Sequence, residues 1–282
     1  MLRPPAAMAQ AAVTLACDLE PGPTRAVASV IDGETVRLDD GKEVRLLGVL
    51  TPRAEDARGA IDGGNGAADW PPERDARLAL INLVGGRSVA LAFAGVRADR
   101  HERVLAHLFL NDEAGRDIWV QGKLVADGHA RAHAHPAADA CMAELVSREQ
   151  EARSAGAGLW SHAAYQVRPG DRPRELALYE NTFQLVRGRV ERTGGGRSVG
   201  ILEMTSVESK AHPETGRQRG VFRIIIKRGI ERQGKLGRVD RLLGANILVR
   251  GWIETRAGPE ITISSPSDIE REDDRPTPPK IE

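Results

Sequence analysis

Three histidines, His129, His133 and His135, share parity along an extended stretch of this 282-residue chain, which would turn their rings to one side. Neutral imidazoles grouped in this way are zinc ligands. The plainer reading of the same spacing puts His129 in a core and the other two on a loop. The chain's two cysteines, Cys17 and Cys141, have no zinc-like partner spacing. They are candidates for one disulfide tying an N-terminal arm to a helix, or else two thiols of a cytoplasmic protein. Towards the C-terminus Arg217, Arg219, Arg223, Lys227 and Arg228 interleave with Phe222, and Trp252 follows. Cations alternating with rings suit single-stranded nucleic acid, which offers a charged backbone and stacking faces. A barrel wall whose aromatics are core residues would read the same way.

Composition narrows what these groups can serve. With 40 basic and 40 acidic residues the net charge is zero, so the chain does not coat nucleic acid by bulk electrostatics and any such contact is local. Residues 1–170 carry 19 basic and 23 acidic side chains and residues 171–282 carry 21 and 17, so the second part is the more cationic. A hydrophobic fraction of 41% supports buried cores and excludes a chain disordered throughout. No apolar run approaches the roughly 18 residues that a membrane span needs. Ala7-Met8-Ala9 ahead of Gln10 has the small-x-small form of a signal-peptidase site. Together with the cysteines it points to a periplasmic or secreted protein, with a cytoplasmic one as the alternative.

The elements that must position these groups fall into two series. Ala26–Ile31, Thr35–Leu38 and Val44–Val49 alternate in polarity around Asp32-Gly33 and Asp39-Asp40-Gly41, which predicts a β-meander. A Gly- and Asp-rich loop over 54–70 precedes Pro71-Pro72-Glu73, a helix start, and Gly85-Gly86 stops that helix. Strands over 87–93 and 104–110 and helices over 119–128 and 137–155 follow. A small β-barrel with packed helices is the economical arrangement. After a Pro- and charge-rich linker at 166–180 the pattern restarts, with strands over 183–192, 198–204 and 221–227, a helix over 229–243, and strands over 246–254 and 260–264. Three strands, a helix and two strands is the connectivity of an OB-fold. Residues 1–25 are expected as a truncated signal peptide and arm, 26–165 and 181–270 as the two barrels, and 271–282 as a disordered tail.

Val30-Ile31-Asp32-Gly33-Glu34-Thr35-Val36-Arg37-Leu38 and Val44-Arg45-Leu46-Leu47-Gly48-Val49-Leu50-Thr51-Pro52 resemble the staphylococcal nuclease-like, or thermonuclease, family. So do the segment 97–106 with Arg100, His101 and Arg103, Gly128-His129-Ala130-Arg131, and Gly158-Leu159-Trp160, in order over residues 26–165. The resemblance implies an OB barrel decorated with helices, α+β in class, and calcium-dependent hydrolysis of DNA or RNA, single-stranded or locally melted. It assigns Arg45 and Arg103 to the phosphate oxygens, where a planar, permanently charged guanidinium stabilises the transition state. It assigns the metal to Glu34, the Thr51 carbonyl and an acid before Thr51, with Asp32 nearby and read first as the residue that shapes its turn. Arg53, Arg100, His101 and His133 are further candidates for nucleic-acid contact.

Two substitutions depart from that pattern. Leu50 stands where the family has a metal-binding aspartate, and Arg53 where it has a glutamate acting on the attacking water. A hard cation wants six or more oxygens, and an arginine accepts no proton. Glu55 or Asp56 on the loop could swing in as the base, the plainer reading being that both are solvated loop acids. Ala134 and Pro136 replace stacking tyrosines, leaving His133 and His135 beside them. These departures leave three readings open: a nuclease with an altered, weakened calcium and base site, a binding module that has lost the chemistry, and an envelope interaction protein.

Overall fold

The computed structural model describes residues 17–59, 70–111, 115, 117–135, 139–205, 220–231 and 238–272. The expected signal segment before Cys17, the tail after Glu272, residues 60–69 of the Gly- and Asp-rich loop, Pro136, Arg217 and Arg219 lie outside them. Among the described residues no helix is long and apolar enough to cross a membrane.

The first barrel is built from β1 (Glu20–Asp32), β2 (Thr35–Leu38), β3 (Glu43–Leu46), β5 (Ser88–Phe93) and β6 (Val104–Asn111), with the short β4 (Val49–Leu50) leaving the ring after β3. The first half of β1 pairs with β5 and its second half with β2. That division needs a bend. A bulge falls between Pro21 and Thr24, where a Cβ on Gly22 would lie only 2.5 Å from the Phe93 ring. Antiparallel β2–β3 and β5–β6 pairings and a parallel β3–β6 pairing close the ring. Helix α1 (Pro71–Val84) bridges β3 and β5 in sequence and buries Ala76, Leu80 and Val84 as one stripe. Its paired prolines occupy the first turn, where N–H groups have no intrahelical partner to lose.

Beyond the ring, β7 (Asp117–Trp119) pairs with β6 and leads into α2 (Val120–Ala126). β8 (Arg131–Ala132) then pairs with β4, and α3 (Met142–Ser154) buries Met142, Leu145, Val146, Glu149 and Ala152. A disulfide joins Cys17 to Cys141 at the start of α3. It anchors the arm that feeds β1.

The expected linker is ordered instead: β9 (Arg168–Pro169) and α4 (Pro173–Leu176) lead into a 3-10 turn over Ala177–Tyr179. Leu176 and Tyr179 enter the second core, and the Arg168 guanidinium lies 4.2 Å over the Tyr179 ring. A few well-spaced apolar residues outweigh a composition rich in proline and charge. The second barrel has β10 (Phe183–Arg189), β11 (Arg192–Gly195), β12 (Val199–Thr205), β13 (Val221–Lys227), β14 (Asn246–Glu254), β15 (Glu260–Thr262) and β16 (Ile269–Arg271). Between β13 and β14 the expected 15-residue helix is reduced to α5 (Arg228–Glu231) and a 3-10 turn over Val239–Leu242, with 232–237 outside the described residues.

The second ring repeats the first. β12–β13 are antiparallel, β13–β15 parallel, and β14 is antiparallel to both β15 and β10. β10 and β11 act as halves of one bent strand, the first on β14 and the second on β12. This is the expected OB-like connectivity. Leu50, Trp160 and Tyr165 of the first part share a buried cluster with Phe183, Leu185 and Leu248 of the second. The two barrels therefore pack through a hydrophobic seam.

Candidate nucleic-acid interface

The turn from β1 to β2 carries the first acidic groups. Asp32 Oδ1 accepts the Glu34 N–H at 2.8 Å, so Asp32 shapes the turn. Gly33 presses against Thr51 and Ala76, where a Cβ would come within 3.1 Å of both. Glu34 is thereby forced inward and is 1% exposed. Its backbone carbonyl accepts the Leu46 N–H at 2.8 Å, fixing β3 beneath it.

A carboxylate this buried needs partners on both oxygens. Oε2 accepts the Thr51 N–H at 2.9 Å. Oε1 meets the Arg45 guanidinium and, at 2.5 Å, Nη2 of Arg53. Arg45 leaves β3 between Val44 and Leu46, both buried inward as a period of two requires. Burial, reinforced by the charges of Arg53 and Arg103, pulls its pKa down to about 10, while Asp32 and Asp99 oppose that fall. It stays charged at neutral pH.

Arg103 reaches the same neighbourhood from the other end of the motif. Parallel pairing sets Arg45 beside Leu105, so Arg103, two residues earlier, falls on the same face. Its loop is clasped by Asp99, which accepts Arg103 Nε at 2.8 Å and Nη2 at 2.7 Å, and the backbone N–H groups of His101 and Arg103. Partial burial pushes the Asp99 carboxyl up, but these hydrogen bonds outweigh it and hold it below its ordinary value. Glu102 takes a left-handed φ of 62° at the tip. Arg100 and His101 are exposed there, with Arg100 Nε 3.0 Å from His101 Nε2.

The donor set does not fit calcium. Both Glu34 oxygens are engaged by cationic or N–H groups, and Leu50 is 2% exposed within the seam. The Thr51 residue expected to present a carbonyl is buried and gives its N–H to Glu34. Among the described residues no three His, Cys, Asp or Glu side chains are grouped as metal ligands, and this includes His129, His133 and His135. His129 is half-buried rather than a full core residue.

Asp56 is equally committed. It is 5% exposed, and its Oδ2 accepts the Arg53 N–H at 3.1 Å, Arg131 Nη2 at 2.9 Å and the Tyr165 hydroxyl at 3.0 Å. A carboxylate held by three donors is a brace and has no freedom to swing in as a base. Glu55 is exposed on the 3-10 turn Ala54–Gly59. Arg131 continues the brace, since its Nη1 donates to the Phe183 carbonyl across the seam at 2.7 Å. His133 follows on, with its N–H on the Gly48 carbonyl and its ring edge-on to Phe183 at 5.1 Å. Burial first, then the nearby charges of Arg45 and Arg131, push its pKa down to about 3, so it is neutral.

Residues 43–162 match a family model described as staphylococcal nuclease homologue. The chain carries a staphylococcal nuclease homologue domain. No curated protein matches the chain. The match takes in Arg45, Leu50, Arg53, Arg103 and Arg131, whereas β1, β2 and Glu34 precede it. The nuclease homologue domain thus closes its barrel on strands outside the matched range.

Sequence reasoning missed a second constellation. Arg250, 0% exposed on β14, pairs with Glu149 of α3 at 2.7 Å and with Glu270, and donates to the Ala132 carbonyl at 3.1 Å. Glu149 in turn accepts the Ala132 N–H at 2.8 Å. The signal was present: Glu149 occupies the apolar stripe of α3, and Arg250 interrupts the apolar run Ile247-Leu248-Val249.

Proposed function

We propose that the nuclease homologue domain binds nucleic-acid phosphates without cutting them, in a protein of an oxidising compartment. The observation that carries this reading is the Arg53–Glu34 contact. It sets a guanidinium against the one buried carboxylate that the family resemblance gives to the metal. A cationic side chain then replaces both the ion and the base, and hydrolysis lacks a group to activate water.

Binding has donors to spare. Arg45 presents Nη1 to Glu34, Arg53 uses Nη2, and Arg103 spends Nε and Nη2 on Asp99. A guanidinium has five N–H bonds, so Arg53 and Arg103 keep several for phosphate oxygens, while Arg45, 15% exposed at its side chain, offers fewer. Arg53 and Arg103 are 47% and 30% exposed at their side chains, so those donors are open to a ligand. Asp32, Glu34 and Asp99 offset the three charges, and recognition therefore rests on aimed donors rather than on net charge. That agrees with a chain of zero net charge.

Anisotropy of a labelled single-stranded oligonucleotide tests the reading. Binding should persist in EDTA, weaken about tenfold in Arg45→Ala or Arg103→Ala, and fall with salt at a log–log slope no steeper than about −2 for three contacts. Calcium-dependent cleavage lost in Glu34→Gln would overturn it. Restoring both acids, Leu50→Asp with Arg53→Glu, is a poor route to activity, because the aspartate lands in the apolar seam at a cost of several kcal/mol.

A further inference from the structure

A long arginine side chain wanders unless something holds it, and that of Arg53 is 47% exposed. Its direction is set at both ends. Glu34 takes Nη2 at 2.5 Å, and Asp56 Oδ2 takes the backbone N–H at 3.1 Å. The first hold lies within the arginine pocket. The second leads out of it, because Asp56 is itself held from elsewhere.

The same Asp56 oxygen accepts Arg131 Nη2 and the Tyr165 hydroxyl. Arg131 is buried, with its guanidinium 4.9 Å from the centre of the Tyr165 ring and 5.3 Å from that of Phe183. Enclosed in this way it cannot touch a ligand, and its Nη1 is spent on the Phe183 carbonyl. Phe183 opens β10, the first strand of the second barrel. Tyr165 is fixed in turn by Trp70, whose indole N–H donates to its hydroxyl at 2.8 Å. Direct hydrogen bonds therefore run unbroken from the backbone of the second barrel to that of Arg53. Tyr165 and Phe183 both lie beyond residues 43–162, so this support comes from outside the matched family range.

We infer that Asp56, Arg131 and Tyr165 are positioning residues of the phosphate pocket, through which the second barrel sets the direction of Arg53. This deepens the phosphate-binding reading above and rests on it. Charge and position make opposite demands at Asp56. A carboxylate so near Arg53 repels a phosphate, so by charge alone its removal tightens binding. As the hold on Arg53, its removal frees that side chain, and binding weakens because the ligand must then order it. The second barrel thus completes the site without placing a group in it.

The experiment is anisotropy of a labelled single-stranded oligonucleotide on the full protein over a range of salt, with urea unfolding run on each variant. Asp56→Ala should weaken binding about fivefold and flatten the log–log salt slope from about −2 to about −1.4, as one phosphate contact is lost. Arg53→Ala should flatten the slope equally, and adding Asp56→Ala to it should cost nothing further. Added to Arg103→Ala, Asp56→Ala should keep its full effect. Tyr165→Phe removes one hydroxyl and keeps the ring in the seam; it should lose about twofold, again only while Arg53 is present. Arg131→Lys should regain part of the affinity that Arg131→Met loses. Tighter or unchanged binding in Asp56→Ala or, where that variant does not fold, in Tyr165→Phe overturns the positioning role while the phosphate reading stands. Losses that add in full to Arg53→Ala do the same. If the unaltered protein binds no oligonucleotide, both readings fall.

Discussion

The two barrels share one pairing scheme and differ in where they place charge. In the first, the turn between β1 and β2 drives Glu34 inside and gathers arginines on it. In the second, the barrel interior is filled by Val186, Leu202, Met204, Phe222, Ile224, Ile247 and their neighbours. Its outer charges sit in pairs such as Arg192–Glu203 at 3.0 Å and Arg223–Glu260 at 3.9 Å. The exceptions, Arg250 and Glu270, face the first barrel. A five-stranded ring is thus indifferent to chemistry. What it does depends on the few positions where a charge is turned inward or left open at a seam.

The seam gives the largest expected effect of a single substitution. Arg250→Met leaves Glu149 and Glu270 buried without their main counter-charge and should cost about 3–5 kcal/mol in urea unfolding. A loss below about 1 kcal/mol would mean that the barrels are held by the apolar cluster alone. Reducing the disulfide, or Cys141→Ser, frees a loop spanning 124 residues in the first barrel and should cost about 3 kcal/mol. An unchanged urea midpoint under reductant would show that the N-terminal arm contributes little.

Acid should separate the barrels next. Burial pushes His107 down to about 4, and His133 lies at about 3, while no described residue of 183–272 is a histidine. Both imidazoles stay neutral in the fold and take up a proton when unfolded. Stability is therefore whole above pH 6.5 and falls as pH drops from 6.5 towards 4, by about 1.4 kcal/mol per pH unit for each group. Urea midpoints across that window should show the slope, and His107→Gln should halve it. A midpoint that rises on acidification would contradict the assignment. The smallest effect belongs to the second barrel's surface, where Arg192→Ala should change stability by less than about 1 kcal/mol. A larger loss would mean that its outer charges contribute to the fold after all.

Most of the elements were legible in the sequence, because polarity alternates with the period of a strand and Pro71-Pro72 and Gly85-Gly86 bracket a helix. The helix expected over 229–243 was not, since its apolar residues serve a short turn under the barrel instead: Ile230, Val239 and Leu242 all enter the second core. Arg45, Arg103 and Glu34 were named from their motif; Arg45 pairs with Glu34, while Arg103 is clasped by Asp99, a partner the motif did not name. The role of Asp56 was misjudged. In sequence it is one acid on a polar loop, and only Arg131 and Tyr165, 75 and 109 residues away, make it a brace.

Residue types and their spacing alone determined that the chain would form two short-stranded barrels, and that a cation would stand at 53 and an apolar side chain at 50. These follow from local periodicity and from side-chain chemistry, which need no partner to be read. The tertiary structure decided what those substitutions mean. It turned Leu50 into seam and Arg53 onto Glu34, and it closed Arg250 of the second barrel onto Glu149, some 100 positions earlier in the chain. Burial and charge pairing are properties of surroundings assembled from distant segments, so no reading of neighbours along the chain contains them.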